Sequence, residues 1–221
     1  MKKIVLALGA ATLIFAACQD APKADNTEAT DAQTVDSAAA GGAVYNADLT
    51  QSTVQWTGTK PIAKHVGTIA MKSGSLNVTD GNITGGKFVL DINTINPQDQ
   101  DSTGNGKLKG HLLSPDFFDA ATHPEASFEI TNVTAGIDTT NKDLVMKDAT
   151  HTVTGNLTIK GTSKSISFPA KLSVTDANVT ADANFNIDRT QWGLTYGNDK
   201  SLGDKFISPT INFVLHLVAN K

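Results

Sequence analysis

The stretch from His151 to Thr175 constrains the fold most, because apolar and polar side chains alternate along almost all of it. Val153, Leu157 and Ile159 alternate with polar residues, and the alternation resumes after a turn predicted at residues 161–164. A period of two on both sides of a Gly-containing turn indicates an antiparallel hairpin with one apolar face. That face must be covered by another sheet, by helices, or by closure of the sheet into a barrel.

The same alternation predicts strands elsewhere, and short strands are also expected where glycines punctuate residues 66–86. Pro169 lies inside a strand pattern and should occupy an edge or a bulge, since it donates no ladder hydrogen bond. About eight long strands result, which is the number at which a closed sheet has room inside for side chains or one small ligand. Periodicity alone leaves a sandwich open, but closure removes exposed edges and needs no covering helices. The further predicted strands are 53–57, 87–95, 126–131, 144–146, 179–187 and 210–218.

Residues 97–124 form the one long insertion without strand character, and they are rich in Asp, Gly and Asn. A short helix is predicted at 107–113, and Ser114 followed by proline resembles a second helix start. Phe117 and Phe118 follow directly in this polar segment. Because each ring carries a large apolar area, we expect at least one to plug an end of the sheet structure.

The N-terminus has the layout of an export signal. Residues 1–17 combine two lysines with a short apolar run, which predicts a signal peptide. Cys18 follows Phe-Ala-Ala, an ending that resembles a bacterial lipobox, and it is the only cysteine of the chain. We therefore expect acylation of Cys18, a disordered tether over residues 18–43 that reaches about 25–30 Å, and a domain spanning residues 44–221.

Composition argues against several classes of function. The formal net charge is −4 and the chain has no clustered basic face, which disfavours nucleic-acid binding. The five histidines, at positions 65, 111, 123, 151 and 216, show no metal-ligand spacing, and no nucleophile elbow or phosphate-binding loop is present. We therefore expect no metal, no cofactor and no enzymatic activity.

Arg189 is the single arginine, and Trp192 and Tyr196 follow it closely. At a cavity mouth, an arginine beside aromatic rings could hold the polar head of a lipid by forked hydrogen bonds. The alternative is a structural ion pair with Asp188 or Asp116 that fixes a loop to the barrel. The sequence leaves both interpretations open.

Several short motifs recur in a characteristic order along residues 45–219. They are YNAD at 45–48, HLLSPDFFD at 111–119 with HP at 123–124, GNLTIKG at 155–161 with FP at 168–169, and FNIDR at 185–189 with WGL at 192–194 and YG at 196–197. On these motifs the chain resembles the YceI-like family of bacterial periplasmic proteins. The resemblance implies an extended, lipocalin-like antiparallel barrel that holds a polyisoprenoid or related amphiphilic lipid along its axis, and a homodimer. The lipobox and tether depart from the many members that are soluble in the periplasm.

The resulting hypothesis is an all-β, extended eight-stranded antiparallel barrel with a short helical insertion, anchored in the cell envelope and facing the periplasm or the cell surface. It would bind, sequester or carry an isoprenoid-type lipid. Two alternatives stay open: a solid barrel acting as an interaction or stress-response module, or an enzyme acting on such a lipid. The candidate ligand-binding residues are Trp56, Phe88, Leu90, Phe117, Phe118, Phe128, Leu157, Ile159, Phe168, Phe185, Arg189, Trp192 and Tyr196.

Overall fold

The computed structural model describes residues 20–35, 41–137 and 144–221, so the predicted signal peptide and Cys18 lie outside the described residues. Short 3-10 turns follow two of the strands, at Ile92–Thr94 and Arg189–Trp192, and a third spans Lys200–Lys205. The strands and the helix are β1 (Asp25–Asn26), β2 (Thr30–Asp31), β3 (Ala43–Ala47), β4 (Thr53–Lys60), β5 (Ala63–Thr68), β6 (Met71–Thr79), β7 (Asn82–Asp91), β8 (Asn96–Pro97), α1 (Ser102–Leu113), β9 (Glu125–Ala135), β10 (His151–Ile159), β11 (Thr162–Val174), β12 (Asn178–Asp188) and β13 (Thr210–Asn220).

The strands close into an antiparallel barrel of eight staves, as the sequence predicts. Three staves are long strands with a bend: β3 continues into β4, β5 into β6, and β7 into β8. Strands β9 to β13 follow in order around the wall, and β13 pairs back onto β3 and β4 to close it. Closure leaves one continuous inner face for the apolar residues of every stave.

The two ends of the barrel are built differently. One end, called the mouth end below, carries the turn at 61–62, the insertion at 92–124, the turn at 160–161 and the loop at 189–209. The opposite end carries the β6–β7 and β11–β12 turns and the short ladder in which the end of β13 pairs with β3. The insertion at 92–124 and the loop at 189–209 therefore both lie at the mouth end, whereas the connection between β9 and β10 leaves from the opposite end.

The one α-helix of the described residues is longer than the helix predicted at 107–113. It begins at Ser102, and the Asp101 carboxylate caps it by accepting the Gly104 N–H at 2.7 Å. The sequence hides this start because two glycines and an asparagine in the first turns have low helix propensity. The second helix start, predicted at Ser114, is wrong, since that residue ends α1.

Glycines inside the strands make room for aromatic rings. A Cβ on Gly155 would stand 2.5 Å from the Phe128 ring, and one on Gly74 would stand 2.4 Å from the Phe88 ring. Both glycines lie on the strand next to the ring they accommodate. The glycines at 67 and 74 therefore do not break this region into separate short strands, because they admit close approach within a continuous stave.

Residues 20–35, called the N-terminal strap below, are packed against the barrel and are not the disordered tether that we expected. β1 pairs in parallel with β12, and β2 pairs with β11. These two barrel strands pair with each other only as far as Ala170 and Ala183, directly after Pro169. The strap thus fills the seam that opens where proline ends the ladder, and the predicted edge position of Pro169 is confirmed.

Polar groups under the strap are buried and hydrogen-bonded. Asn186 donates to the carbonyls of Pro22 and Ala24 at 3.3 and 3.5 Å, and Asn156 exchanges two hydrogen bonds with the backbone of Gln33 at 2.7 and 2.9 Å. The buried carboxylate of Asp25 accepts the N–H groups of residues 145 and 146 at 2.8 and 2.9 Å. Residues 144–146, predicted as a strand, are instead held in an irregular loop by this contact.

Within the described residues, no helix has the length and apolarity needed to cross a membrane.

Candidate lipid-binding cavity

The barrel interior is hollow. A cavity of about 520 Å³ runs from Tyr196 at the mouth end to Leu217 near the opposite end. Its volume falls within the range of about 300–1,000 Å³ typical of ligand sites. The walls are overwhelmingly apolar, because the alternating inward side chains of every stave contribute to them.

A belt of aromatic side chains encircles part of this cavity. The Phe168 and Phe185 rings are stacked with their centroids 4.2 Å apart, and their neighbours Phe128 and Phe213 follow at 5.6 and 6.0 Å. Trp56 lies opposite Phe213 in the β4–β13 register. These rings come from five strands, β4, β9, β11, β12 and β13, and the short distances between neighbouring rings place them in one belt.

A second aromatic group narrows the mouth. Phe117 is buried, and its ring packs against those of His111 and Tyr196 with centroids 5.1 and 5.6 Å away. Leu112 of α1 belongs to the same apolar cluster. The expectation that a phenylalanine of the insertion plugs one end of the barrel agrees with this position of Phe117.

Arg189 is almost fully buried and binds only backbone carbonyls. Its Nε donates to Ser208 at 3.0 Å, its Nη2 donates to Tyr196 and Ile207 at 3.0 and 2.9 Å, and its Nη1 donates to Leu194. Burial lowers the pKa of the guanidinium, and the charge of Asp188 opposes this effect. Arg189 therefore fixes the 194–208 loop as expected of a staple, but through carbonyls and not through an ion pair with Asp188 or Asp116.

The guanidinium also borders the cavity, where its carbon lies 5.7 Å from the centre of the Phe117 ring. The four hydrogen bonds above use four of the five N–H donors of an arginine. The side of the guanidinium that borders the cavity contributes positive charge to the inner part of the mouth.

Two polar atoms of cavity-lining residues have no hydrogen-bond partner among the described residues. They are the indole nitrogen of Trp56 and the hydroxyl oxygen of Thr59, and both are buried. A buried, unsatisfied donor costs about 1–3 kcal/mol. These two atoms lie in β4, in the half of the barrel nearer the mouth, and they could pair with a polar atom of a ligand.

Most titratable cavity residues gather at the mouth, where Lys60, His65, Asp204 and Lys205 join Arg189. The Nδ1 atom of His65 lies 2.8 Å from a carboxylate oxygen of Asp99, outside the cavity lining. Farther along β13, His216 also borders the cavity, but its side chain is 46% exposed and pairs with Asp182 at 2.7 Å. Among the described residues, no group of three or more His, Cys, Asp or Glu side chains could hold a metal ion.

Twelve of the thirteen candidate ligand-binding residues line the cavity, and Trp192 does not. Trp192 is buried in the turn after β12, and its indole nitrogen donates to the Leu157 carbonyl at 2.8 Å. It is a structural residue that closes the mouth end from outside the cavity. The sequence placed it in the site only because it lies close to Arg189.

Most of the cavity residues missing from the candidate list are aliphatic or small. The alternation of their own strands predicts that Ile130, Ile166, Leu172 and Phe213 face inward, although the candidate list left them out. Two cavity residues of the insertion, Leu108 and His111, carry no such signal. The further lining residues include Met71, Leu76, Ile83, Ile92, Ile95, Leu112, Ala126, Val133, Val153, Ala170, Ala181, Ala183, Ile187, Leu194, Ile207, Ile211, Leu215 and Leu217.

Comparison with known proteins agrees with this architecture. The model of the YceI-like domain matches residues 45–219. This chain belongs to the YceI-like family. A UPF0312 protein of Pseudomonas aeruginosa is 33% identical over 99 residues, which are 45% of this chain and 44% of that protein. The chain therefore spans less than half the length of the curated relatives it matches.

Solved structures share the YceI-like fold at low sequence identity. BcnA of Burkholderia cenocepacia is 19% identical with a TM-score of 0.59, and the alignment covers 79% of this chain and 99% of that chain. A polyisoprenoid binding domain from Saccharophagus degradans is 16% identical with a TM-score of 0.58, covering 80% and 97%. At these identities the likeness establishes the barrel fold alone.

Proposed function

We propose that this YceI-like protein binds a long-chain lipid of the isoprenoid type in its barrel and sequesters or carries it at the cell envelope. The observation that carries the proposal is the apolar cavity of about 520 Å³ that runs along the barrel. Each methylene-sized group that enters such a cavity contributes about 0.8 kcal/mol. The solid-barrel alternative requires a close-packed interior, which this cavity does not provide.

The polar end of the ligand would lie toward the mouth. Trp56 offers an unpaired indole N–H and Thr59 an unpaired hydroxyl, while Arg189 supplies positive charge nearby. An oxygen acceptor on the ligand, such as a carbonyl, hydroxyl or phosphate oxygen, would satisfy these donors. The apolar walls beyond them suit a hydrocarbon tail, and a polyisoprenoid binding domain is among the structural neighbours.

The location in the envelope rests on the sequence. The apolar run of residues 1–17 supports export, and the unpaired Cys18 supports an acyl anchor. A homodimer, implied by the family resemblance, stays a prediction. A binding role is favoured over catalysis because the titratable cavity residues other than His216 gather at the mouth, His216 is paired with Asp182, and the remaining walls are apolar.

Filling the cavity tests this function. Ala181 lines the cavity and its neighbour Thr180 lies on the outer face of the same strand. Ala181→Phe should abolish the lipid that native mass spectrometry detects on protein purified from its own membranes, while Thr180→Phe should leave that lipid in place. Equal lipid content in both variants, or a wild-type protein without lipid, would contradict the proposal.

A further inference from the structure

We infer that the mouth end docks on an anionic lipid bilayer, so that the cavity opens toward the membrane that supplies its ligand. The inference rests on the proposed function, because only an apolar ligand would have to come from a membrane. The docking surface, called the mouth rim below, consists of the hairpin 60–64 and the loop 196–205. Exposed apolar side chains and a net positive charge at this end support the inference.

Apolar side chains stand exposed on the mouth rim. Ile62 at the tip of the hairpin is 67% exposed, and Tyr196 and Leu202 in the loop are 46% and 44% exposed. Ser208 donates its N–H to the Thr59 carbonyl at 2.9 Å, so the loop runs beside the hairpin. Three large apolar side chains around one cavity opening form a surface that can insert into the interfacial region of a bilayer.

The charge of the mouth rim favours contact with an anionic bilayer. Lys60 and Lys64 flank Ile62 with no acid between them, while Lys200 and Lys205 are balanced by two aspartates in the loop. The rim therefore carries a net positive charge on a protein whose formal net charge is −4. Lysines beside apolar groups are attracted by anionic headgroups while their stems lie along the apolar surface.

The strap lies close to the same end of the barrel. Pro22 accepts a hydrogen bond from Asn186, and Asn186 lies two residues before the mouth end of β12. Because β1 runs parallel to β12, the strap approaches the mouth in the direction from Asp25 to Asn26. An acyl anchor on Cys18 would start only four residues before Pro22, about 14 Å at full extension. Such an anchor would keep the barrel near a bilayer, and the exposed side chains and the charge of the mouth rim would turn this end toward it.

Site-specific fluorescence tests this orientation in the full chain. Cys18→Ser leaves the chain without cysteine, and Ile62→Cys or Leu202→Cys then introduces one labelling site for an environment-sensitive dye. Matched controls are Val44→Cys and Leu49→Cys, whose side chains are 47% and 48% exposed away from the mouth rim. A signal sequence left on the chain affects test and control variants alike.

On vesicles containing phosphatidylglycerol, dyes at 62 and 202 should shift to the blue and be quenched by lipid-embedded quenchers, while dyes at 44 and 49 should not. Lys60→Glu with Lys64→Glu should weaken this response about tenfold, and vesicles of phosphatidylcholine alone should give the same loss. No response at 62 and 202, or an equal response at 44, would overturn the inference. Native mass spectrometry on the same variants separates this failure from a failure of lipid binding, because retained lipid without rim contact rejects docking alone.

Discussion

The two faces of β12 are held by different forces, although they belong to one strand. The inner face presents Phe185 and Ile187 to a cavity, and the Phe185 ring stacks on Phe168 with space beside it. The outer face presents Asn184 and Asn186 to the strap and to Asn212, where hydrogen bonds hold them. In this protein the apolar face borders a void, and the polar face makes the tight contact.

This contrast shows that hydropathy alone does not tell which surface is filled. Apolar side chains favour removal from water, and a bound lipid serves that purpose as well as another side chain. Asparagines favour hydrogen-bond partners, and a peptide segment that satisfies all of them can cover them. Binding capacity and structural stability are therefore separated on opposite sides of one strand.

The largest expected effect is at Arg189, where the two faces of β12 end. Arg189→Lys should lower the free energy of unfolding by about 3 kcal/mol, because one ammonium group cannot replace four hydrogen bonds to buried carbonyls. Urea denaturation measures the change, and native mass spectrometry measures lipid content in parallel. A stable variant that loses its lipid would show that Arg189 acts on the ligand and not on the loop.

A substitution on the outer face of β12 should cause the next-largest loss of stability. Asn186→Ala should cost about 2 kcal/mol, because it removes hydrogen bonds to the strap at Pro22 and Asn26 and one accepted from Asn212. Hydrogen exchange should show faster opening of residues 25–27, with lipid content unchanged. Thr180→Ala, on the same face but beyond the strap, serves as the control, and equal losses in both variants would contradict a specific role of the strap.

A substitution on the inner face of β12 should reduce the stability of the protein less than Asn186→Ala does, and it should reduce lipid binding more. Phe185→Leu should lower the free energy of unfolding by about 1 kcal/mol, since one stacked pair is lost next to space that already exists. The fraction of protein that retains lipid should fall. A loss of stability as large as that of Asn186→Ala would mean that the inner face is packed like an ordinary core.

A contact at the surface should give the smallest effect and the clearest pH dependence. Hydrogen bonds from the side chains of Thr50 and Gln51, and then from their backbone N–H groups, lower the pKa of Asp48 to about 2 from the ordinary value of 3.8. A lowered folded-state pKa stabilises the protein above pH 3.8, and this stabilisation disappears as the pH falls through about 2. The difference in melting temperature between Asp48→Asn and wild type should therefore be clear at pH 6 and much smaller at pH 2; an equal difference at both pH values would contradict the assignment.

The sequence was sufficient to predict the barrel and most of its cavity wall. In β10 to β13 the alternation of side chains fixes which residues face inward, and Phe168, Phe185 and Phe213 follow from it directly. That signal ends where a strand ends. Trp192 lies in the turn beyond β12, where no periodicity indicates a direction, and its proximity to Arg189 was misleading.

The strap could not be predicted from hydropathy. Residues 20–35 have almost no apolar side chains to bury, so their composition is typical of a disordered segment. They are ordered by backbone pairing and by Asn156 and Asn186, and neither contributes to an apolar pattern. The only signal was indirect: Pro169 predicted a gap in the ladder, and a gap in a closed sheet requires a partner for its free edges.

The seam between β11 and β12 also changes what counts as the folding unit. The family match covers residues 45–219, yet β1 and β2, which complete the wall, come from residues 25–31. A chain trimmed to the family boundaries would leave two strand edges without partners, and a strap from a neighbouring molecule could add to them as a donor strand. The segment before the YceI-like domain thus supplies hydrogen-bond partners that the eight staves lack at this seam, and the seam is fully paired only with the chain's own N-terminal peptide in place.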